Sequence, residues 1–342
     1  MNTIIYFFLF LIISSATFLF FIKKKIFLND LHLGPQRIHE KPTSRIGGMI
    51  LYIFILIYLF ITCYSQMKSL LVGIVCFIPI YIIGIKEDIY GNTSPSLRLS
   101  IILFSSFLFI VLTDIYFVFE IPLISKILNI NYIQLIFLTL LISTIVNGTN
   151  IFDGSNGHTA LIGIFYNVIL VKVAYEIGIY EIIQYSIIII SLLTSFLIFN
   201  FPKGSIFLGD TGAYFVGWSL SVIILLILFF SKGNISELFF INILFYPLFE
   251  TVFSFTRKIL MKRSPFKPDS EHLNLLMISY LKKIGSTNFN NLNTFLLTPI
   301  WFFPNLVSMF FYNNGKILFL ILVAQIIIYL LIYVCLRKDL KI

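Results

Sequence analysis

Charge is scarce in this sequence: only 11% of residues are Asp, Glu, Lys or Arg, while 59% are hydrophobic, against about 25% and 45–50% in soluble domains. That shortage excludes an ordinary water-soluble domain and makes the lipid bilayer the solvent. Cysteine is nearly absent too. Cys63, Cys76 and Cys335 sit inside apolar runs without metal-ligand spacing, so they read as packing thiols, and neither a disulfide framework nor a thiolate metal site is expected. No linker or low-complexity tail divides the chain, so a single membrane domain over residues 1–342 is expected. The first apolar run lacks a basic region ahead of it and is followed by Lys23-Lys24-Lys25, the pattern of a retained helix and not of a cleaved signal peptide.

A helix needs about 20 apolar residues to cross a hydrocarbon core of about 30 Å, and about 17 at the short end. Eleven runs qualify: 3–22, 47–64, 69–86, 97–113, 131–147, 159–175, 182–200, 212–230, 238–256, 290–312 and 316–336. The fold class expected is therefore an all-α, polytopic transmembrane helical bundle of about 11 spans.

An odd number of spans divides the connections into two sets, and 19 of the 24 basic residues fall in one of them. They lie in loops 23–46, 87–96, 148–158, 201–211 and 257–289, at the adjoining helix ends and in the C-terminal tail. The opposite set holds Lys68, Lys126, Lys232 and Lys316, with Lys172 inside a helix near its end. The positive-inside rule then puts the N-terminus outside and the C-terminus in the cytoplasm of a plasma (inner) membrane. The formal charge of +9 reads as topology and attraction to anionic lipid, with no nucleic-acid partner.

The clustered acidic and polar motifs fall in that same cytoplasmic set. They are Glu87-Asp88, the run Asn147 to Gly157, the run Phe207 to Gly212, and the run Pro265 to His272. Acids at a membrane boundary are costly and usually functional. Glu87 and Asp88 end the third span, where they oppose the negative end of a helix dipole, so a cation such as a divalent ion or Lys86 is expected to offset them. Asp153 and Asp210 stand just before the sixth and eighth spans. Each fits an N-cap, but Gly154, Gly157, Gly209 and Gly212 beside them also fit an anion cradled by the backbone at a helix N-terminus. Carboxylates beside anion-friendly termini suit a hard cation shared with substrate phosphates, which is Mg²⁺ usage, with Mn²⁺ as a substitute. In loop 257–289, Arg257, Arg263, Lys267 or His272 suits either a phosphate clamp or attraction to lipid head groups. His32, His39 and His158 read as ordinary polar or core histidines.

Taken together these motifs resemble the polyprenyl-phosphate N-acetylhexosaminyl-1-phosphate transferases. The early loop His39-Glu-Lys-Pro42-Thr-Ser-Arg45-Ile-Gly47-Gly48 is similar to theirs, as are Glu87-Asp88 with Ser94-Pro95 and Arg98-Leu99, and Asn147, Asn150, Asp153, Gly154 and Gly157. Phe207, Gly209, Asp210 and Gly212 follow, then Pro247, Glu250-Thr251, Arg257 and Ser264-Pro265-Phe266 to Asp269 and His272. Three positions depart from the family pattern: Glu87 for an Asp, Asn156 for an acid, and Asn274-Leu275 where further histidines are usual.

The resemblance implies that a polyprenyl phosphate attacks the β-phosphorus of a UDP-activated N-acetylated amino sugar, releasing UMP at the cytoplasmic face. It implies catalytic roles for Glu87, Asp88, Asp210 and His272, with Asp210 and Asp88 as metal ligands. It implies substrate binding by Lys41, Arg45, Asn147, Asn150, Asp153, Asn156, Arg257 and Lys267, and it is compatible with a homodimer. The transferase that uses a muramoyl-pentapeptide nucleotide is the alternative within the class. A transporter or flippase is the alternative outside it, disfavoured because no inverted repeat is visible and the acids stand at the boundary, not at the midplane.

Overall fold

The computed structural model describes residues 2–25, 43–62, 68–119, 125–264 and 269–341. Lys41 and Lys267 lie outside them. The described residues form fifteen helices and no strand: α1 (Asn2–Lys24), α2 (Gly47–Ile61), α3 (Lys68–Cys76), α4 (Ile78–Tyr90), α5 (Pro95–Thr113), α6 (Ser125–Leu128), α7 (Asn131–Phe152), α8 (His158–Glu176), α9 (Tyr180–Asn200), α10 (Gly209–Ser231), α11 (Glu237–Ile243), α12 (Phe245–Leu260), α13 (Leu273–Lys283), α14 (Phe289–Phe310) and α15 (Gly315–Leu340). Long apolar runs become helices because lipid offers no partner for a bare peptide group. Their ends follow local chemistry. At α5, for example, the Ser94 hydroxyl accepts the Leu97 N–H and Pro95 occupies the first turn, where its missing N–H costs nothing.

Eight helices, counting α3 and α4 as one, are long and apolar enough to cross a membrane, and nine if the bent pair α11–α12 is one span. This differs from the eleven runs for local reasons. Helix α2 covers only 15 described residues, α11 and α12 meet at 74°, and the 22-residue α14 is made less apolar by Asn290, Asn291, Asn293 and Asn305 together with Pro299 and Pro304.

Helix α10 is the axis of the bundle and is buried along almost its whole length, as its all-round apolar sequence requires. Helices α7, α4, α2 and α8 surround it; α5 packs on α7 and α3, α1 on α9, α12 on α7, and α14 on α8, while α13 lies against α14 and α15. Between helices in lipid, close packing and buried hydrogen bonds replace the hydrophobic effect. A Cβ on Gly48 would lie 2.0 Å from the Gly212 nitrogen, and one on Gly148 would lie 2.1 Å from the Pro247 carbonyl oxygen. Ser14 donates to Ser195 at 2.7 Å, and Trp218 Nε1 to the Gly73 carbonyl at 2.8 Å.

The bend between α11 and α12 leaves backbone carbonyls outside any helical ladder, a heavy cost at membrane depth unless protein supplies donors. Side chains from other helices do so. Gln325 donates to the Asn242 carbonyl (3.3 Å) and to Asn305 (3.2 Å), and Asn305 donates to the Ile243 carbonyl (3.3 Å). Pro247 falls in the first turn of α12, where a proline is tolerated.

At the functional end the helices reach further than the expected loops. Helix α4 runs through Tyr90 and α7 through Phe152, so Glu87, Asp88, Asn147 and Asn150 sit on final helical turns. Their positions are thereby fixed by the ladder. The glycine contact is testable by thermal unfolding in detergent. Gly48→Ala is expected to lose about 1–3 kcal/mol, the usual range for overpacking. Gly315→Ala, whose new Cβ meets nothing closer than 3.7 Å, is expected to be neutral.

Candidate active site

The site begins with three strands of chemistry meeting at the start of α10. Asp88, on the last turn of α4, turns its carboxylate onto the α10 N-terminus. Its Oδ1 accepts the Asp210 N–H at 2.7 Å, and its Oδ2 accepts the Thr211 N–H at 3.0 Å and the Thr211 hydroxyl at 2.6 Å. The positive end of α10 therefore offsets an acid that the end of α4 alone would disfavour. Gly209 makes the approach feasible: its φ is +75°, and a Cβ there would stand 2.6 Å from the Asp88 carboxylate.

The expected anion cradle at this terminus thus already holds the chain's own carboxylate. Asp88 gives acceptor positions on both oxygens to α10 and so positions Asp210. Asp210 itself is in the first turn of α10, not its N-cap. Gly212 serves the close contact with Gly48. The segment before α2 is stitched to the same place, with Phe207 N–H donating to the Ser44 carbonyl (2.8 Å), Gly47 N–H to Phe207 (3.0 Å) and Gly48 N–H to Leu208 (2.8 Å).

Asp210 Oδ2 is the focus of the site. It accepts from the Arg98 guanidinium, from Asn150 Nδ2 at 3.2 Å and from the Tyr214 hydroxyl at 3.3 Å. Arg98 also lies 3.6 Å from Glu87 Oε1, while Glu87 Oε2 accepts the Thr93 N–H at 2.9 Å and the Thr93 hydroxyl. The cation that balances the acidic pair is therefore Arg98, joined by a helix terminus, and not Lys86. The sequence reading missed Arg98 as a site residue and missed Thr93, Thr211 and Tyr214. The Arg98-Leu99 motif was the available signal for the first.

The loop after α7 forms the next wall. Asp153 closes α7 and accepts the Thr159 hydroxyl at 2.6 Å, so it is not the N-cap of α8; Gly157 holds that place with φ +78°. Burial pushes the Asp153 carboxyl up to about 6; Thr159 and Arg45 oppose the shift and Asp210 adds to it. Asn156 is buried and turned into the protein. Its N–H donates to Asn290 (2.6 Å), its carbonyl accepts from Thr294 (2.7 Å) and its amide donates to the Pro202 carbonyl (3.2 Å). Asn293 donates to Ser155 and Asn200 accepts the Gly157 N–H. The polar start of α14 therefore hooks this loop, another feature the sequence reading missed. His158 is a buried core histidine, with Nδ1 2.9 Å from the Thr298 hydroxyl.

A second ionic cluster lies beside the first, because Asn274 on α13 donates to the Phe152 carbonyl at 3.2 Å. Here Arg257 is committed to the protein, pairing with Asp269 (3.0 Å) and Glu271 (3.0 Å). Lys258 pairs with Asp269, and Arg263 and Arg337 with Glu271. His272 stands between two acids, its Nδ1 3.0 Å from Glu250 Oε1 and its Nε2 3.4 Å from Asp269 Oδ1, and Tyr329 donates to the other Glu250 oxygen at 2.9 Å. Burial raises the Asp269 carboxyl, but His272, Arg257 and Lys258 outweigh it and hold the group below its usual range.

Among the described residues no three His, Cys, Asp or Glu side chains are grouped as a protein-only metal cage. The donor set nevertheless suits Mg²⁺, which is held by one or two carboxylates with substrate phosphates supplying other oxygens. Asp210 and Glu87 are the carboxylates that face the same cation, Arg98. Beside them an open groove is lined by the polar Arg45, Asp88 and Thr211 and the apolar Ile46, Met49, Ile85 and Ile89.

A helical membrane bundle that gathers carboxylates, a guanidinium and amides at the end of its central helix has the parts for phosphoryl chemistry. Comparison with known proteins agrees. Glycosyl transferase family 4 matches residues 70–228. A Bacillus subtilis protein named a probable undecaprenyl-phosphate N-acetylglucosaminyl 1-phosphate transferase is 28% identical over 72% of this chain and 68% of its own length. A Thermotoga maritima undecaprenyl-phosphate alpha-N-acetylglucosaminyl 1-phosphate transferase is 24% identical over 78% and 76%. A Staphylococcus saprophyticus phospho-N-acetylmuramoyl-pentapeptide-transferase is 30% identical over 68% and 78%. The chain belongs to glycosyl transferase family 4.

The Asp153 environment sets a sign for pH dependence. A carboxyl whose folded value is raised to about 6 destabilises the fold when ionised, a cost that is present above about pH 6 and relieved as pH falls below it. Asp153→Asn should therefore gain stability relative to the parent as pH rises from 5 to 8, read as the difference between their unfolding midpoints in detergent. A difference that does not change with pH would contradict this.

Proposed function

We propose that this chain transfers N-acetylglucosamine 1-phosphate, or a related N-acetylated amino sugar 1-phosphate, from a UDP-sugar to undecaprenyl or another polyprenyl phosphate, forming a lipid-linked diphosphate sugar and releasing UMP. Family membership and the names of the Bacillus and Thermotoga relatives support the reaction class. The observation that carries the residue assignment is Asp210, presented on the first turn of the buried α10 and surrounded by Glu87, Arg98, Asn150 and Tyr214. The eleven-run topology, with the N-terminus outside, the C-terminus in the cytoplasm and the site at the inner face of the plasma membrane, is the arrangement in which a UDP-sugar reaches these residues.

Each part then has a task. A polyprenyl phosphate needs an apolar path and a cation, and the groove offers Ile46, Met49, Ile85 and Ile89 beside Arg45. Asp88 locks the α10 terminus, which holds Asp210 in place. Glu87 orients the acceptor phosphate or takes its proton. Asn147 and Asn150, spaced to share one face of α7, together with Asp153, offer polar contacts to the nucleotide. The Glu250–His272–Asp269 chain orients an imidazole at the edge of the site, and Arg257 keeps that loop folded. Mg²⁺ bound by Asp210 would neutralise the donor diphosphate and stabilise the leaving UMP.

The Staphylococcus relative favours a second donor, a muramoyl-pentapeptide nucleotide. Purified protein supplied with polyprenyl phosphate, Mg²⁺ and a panel of UDP-sugars is expected to release UMP with an N-acetylated amino sugar donor. Asp210→Asn is expected to lower the rate by about a hundredfold or more, the loss typical of removing a charge-stabilising group. Release of UMP only from the muramoyl-pentapeptide donor selects the second reading, and release from none, with Asp210→Asn indistinguishable from the parent, would sink both.

A further inference from the structure

Arg98 balances the acids of the site, yet it does so on the very carboxylate read as a metal ligand. It projects from the first turns of α5, and one of its nitrogens meets Asp210 Oδ2 while also lying 3.6 Å from Glu87 Oε1. Asp210 Oδ2 simultaneously accepts from Asn150 and Tyr214. Three donors already exceed the two lone pairs of one oxygen, so a metal ion cannot use that atom while all three remain. Of the three, Arg98 is the charged one and therefore the strongest competitor. Its Nε is buried and has no hydrogen-bond partner among the described residues, which leaves the guanidinium incompletely satisfied where it stands. A planar guanidinium matches a phosphate through two parallel hydrogen bonds.

We propose that Arg98 is an exchangeable counter-ion: its guanidinium and a divalent cation compete for Asp210, and a phosphate of the substrate takes the guanidinium when the cation takes the carboxylate. The inference rests on the reading of Asp210 as a metal ligand. It adds a reason why metal and phosphate arrive together. A cation binding alone brings a second positive charge against Arg98 at Asp210 and leaves the guanidinium only the more distant Glu87 carboxylate at 3.6 Å, whereas a cation arriving with a phosphate supplies a new acceptor. Because coupling between two ligands is reciprocal, the metal should favour phosphate binding as much as the phosphate favours the metal. Asp88 takes no part in the exchange, since its oxygens are held by the α10 amides and the Thr211 hydroxyl.

The test measures Mn²⁺ binding to the full-length protein in detergent, without nucleotide or lipid, by the EPR signal of free Mn²⁺. Arg98→Met is expected to tighten Mn²⁺ binding by about tenfold, because the competing charge is gone. Arg98→Gln, which keeps a donor to Asp210 without the charge, serves the same purpose if the methionine variant does not fold. Arg98→Lys, which keeps the charge, should stay within about threefold of the parent. Adding Asp210→Asn should abolish the tightened binding. If Asp210→Asn weakens Mn²⁺ binding while the neutral Arg98 variants leave it unchanged or weaker, the exchange is wrong and the metal reading survives. If Mn²⁺ binding ignores Asp210→Asn, both are overturned.

Discussion

The structure depends most on the bond between one acid and one helix terminus. Asp88 ends α4 where its charge faces the negative pole of its own helix, and α10 begins with amides that have no partner of their own. Each relieves the other. The Asp210 and Thr211 N–H groups and the Thr211 hydroxyl all converge on Asp88, and in a setting this poor in water no solvent could replace them cheaply. Because α10 is the axis on which α7, α4, α2 and α8 pack, fixing its first turn fixes the end of the bundle where the reacting groups stand. The Gly48–Gly212 contact and the backbone bonds from the 44–48 segment secure the same turn from the other side.

Around that joint the charges are arranged in two nested circuits. In the inner one, Arg98 spans Glu87 and Asp210, so two acids share one cation. In the outer one, Arg257, Lys258, Arg263 and Arg337 enclose Asp269 and Glu271, and His272 bridges Asp269 to the buried Glu250. The outer circuit pairs Asp269 and Glu271 each with several cations and ties α12, α13 and α15 together. The inner one is acid-rich and stands next to the groove that Asp88 and Thr211 line. The proposed substrate and metal chemistry is placed at the inner circuit.

Much of this was legible in the sequence, for reasons that mark its limits. The apolar runs announced helices because lipid permits little else, and the Asn147–Gly157 and Phe207–Gly212 runs marked the candidate site because glycines and acids are out of place at a bilayer edge. The need for a positive partner near Glu87 and Asp88 followed from dipole direction alone. Its identity did not, since Arg98 and Asp210 are 112 residues apart and a helix terminus carries no letter in the sequence. Asn156 looked like a ligand because it sits in a motif, yet the start of α14 turns it inward. The bend at α11–α12 was not read from the run, although Asn242 and Pro247 interrupt it; what permits the bend is Asn305 and Gln325 on other helices.

The hook formed by Asn290, Asn293 and Thr294 separates two properties that an enzyme often has to change together. The loop carrying Asp153 is held from α14, outside the joint that fixes Asp88 and Asp210. Substitutions in this asparagine-rich turn can reshape the loop while the α4–α10 joint stays as it is. The loop and the α4–α10 joint are thus held by different sets of side chains.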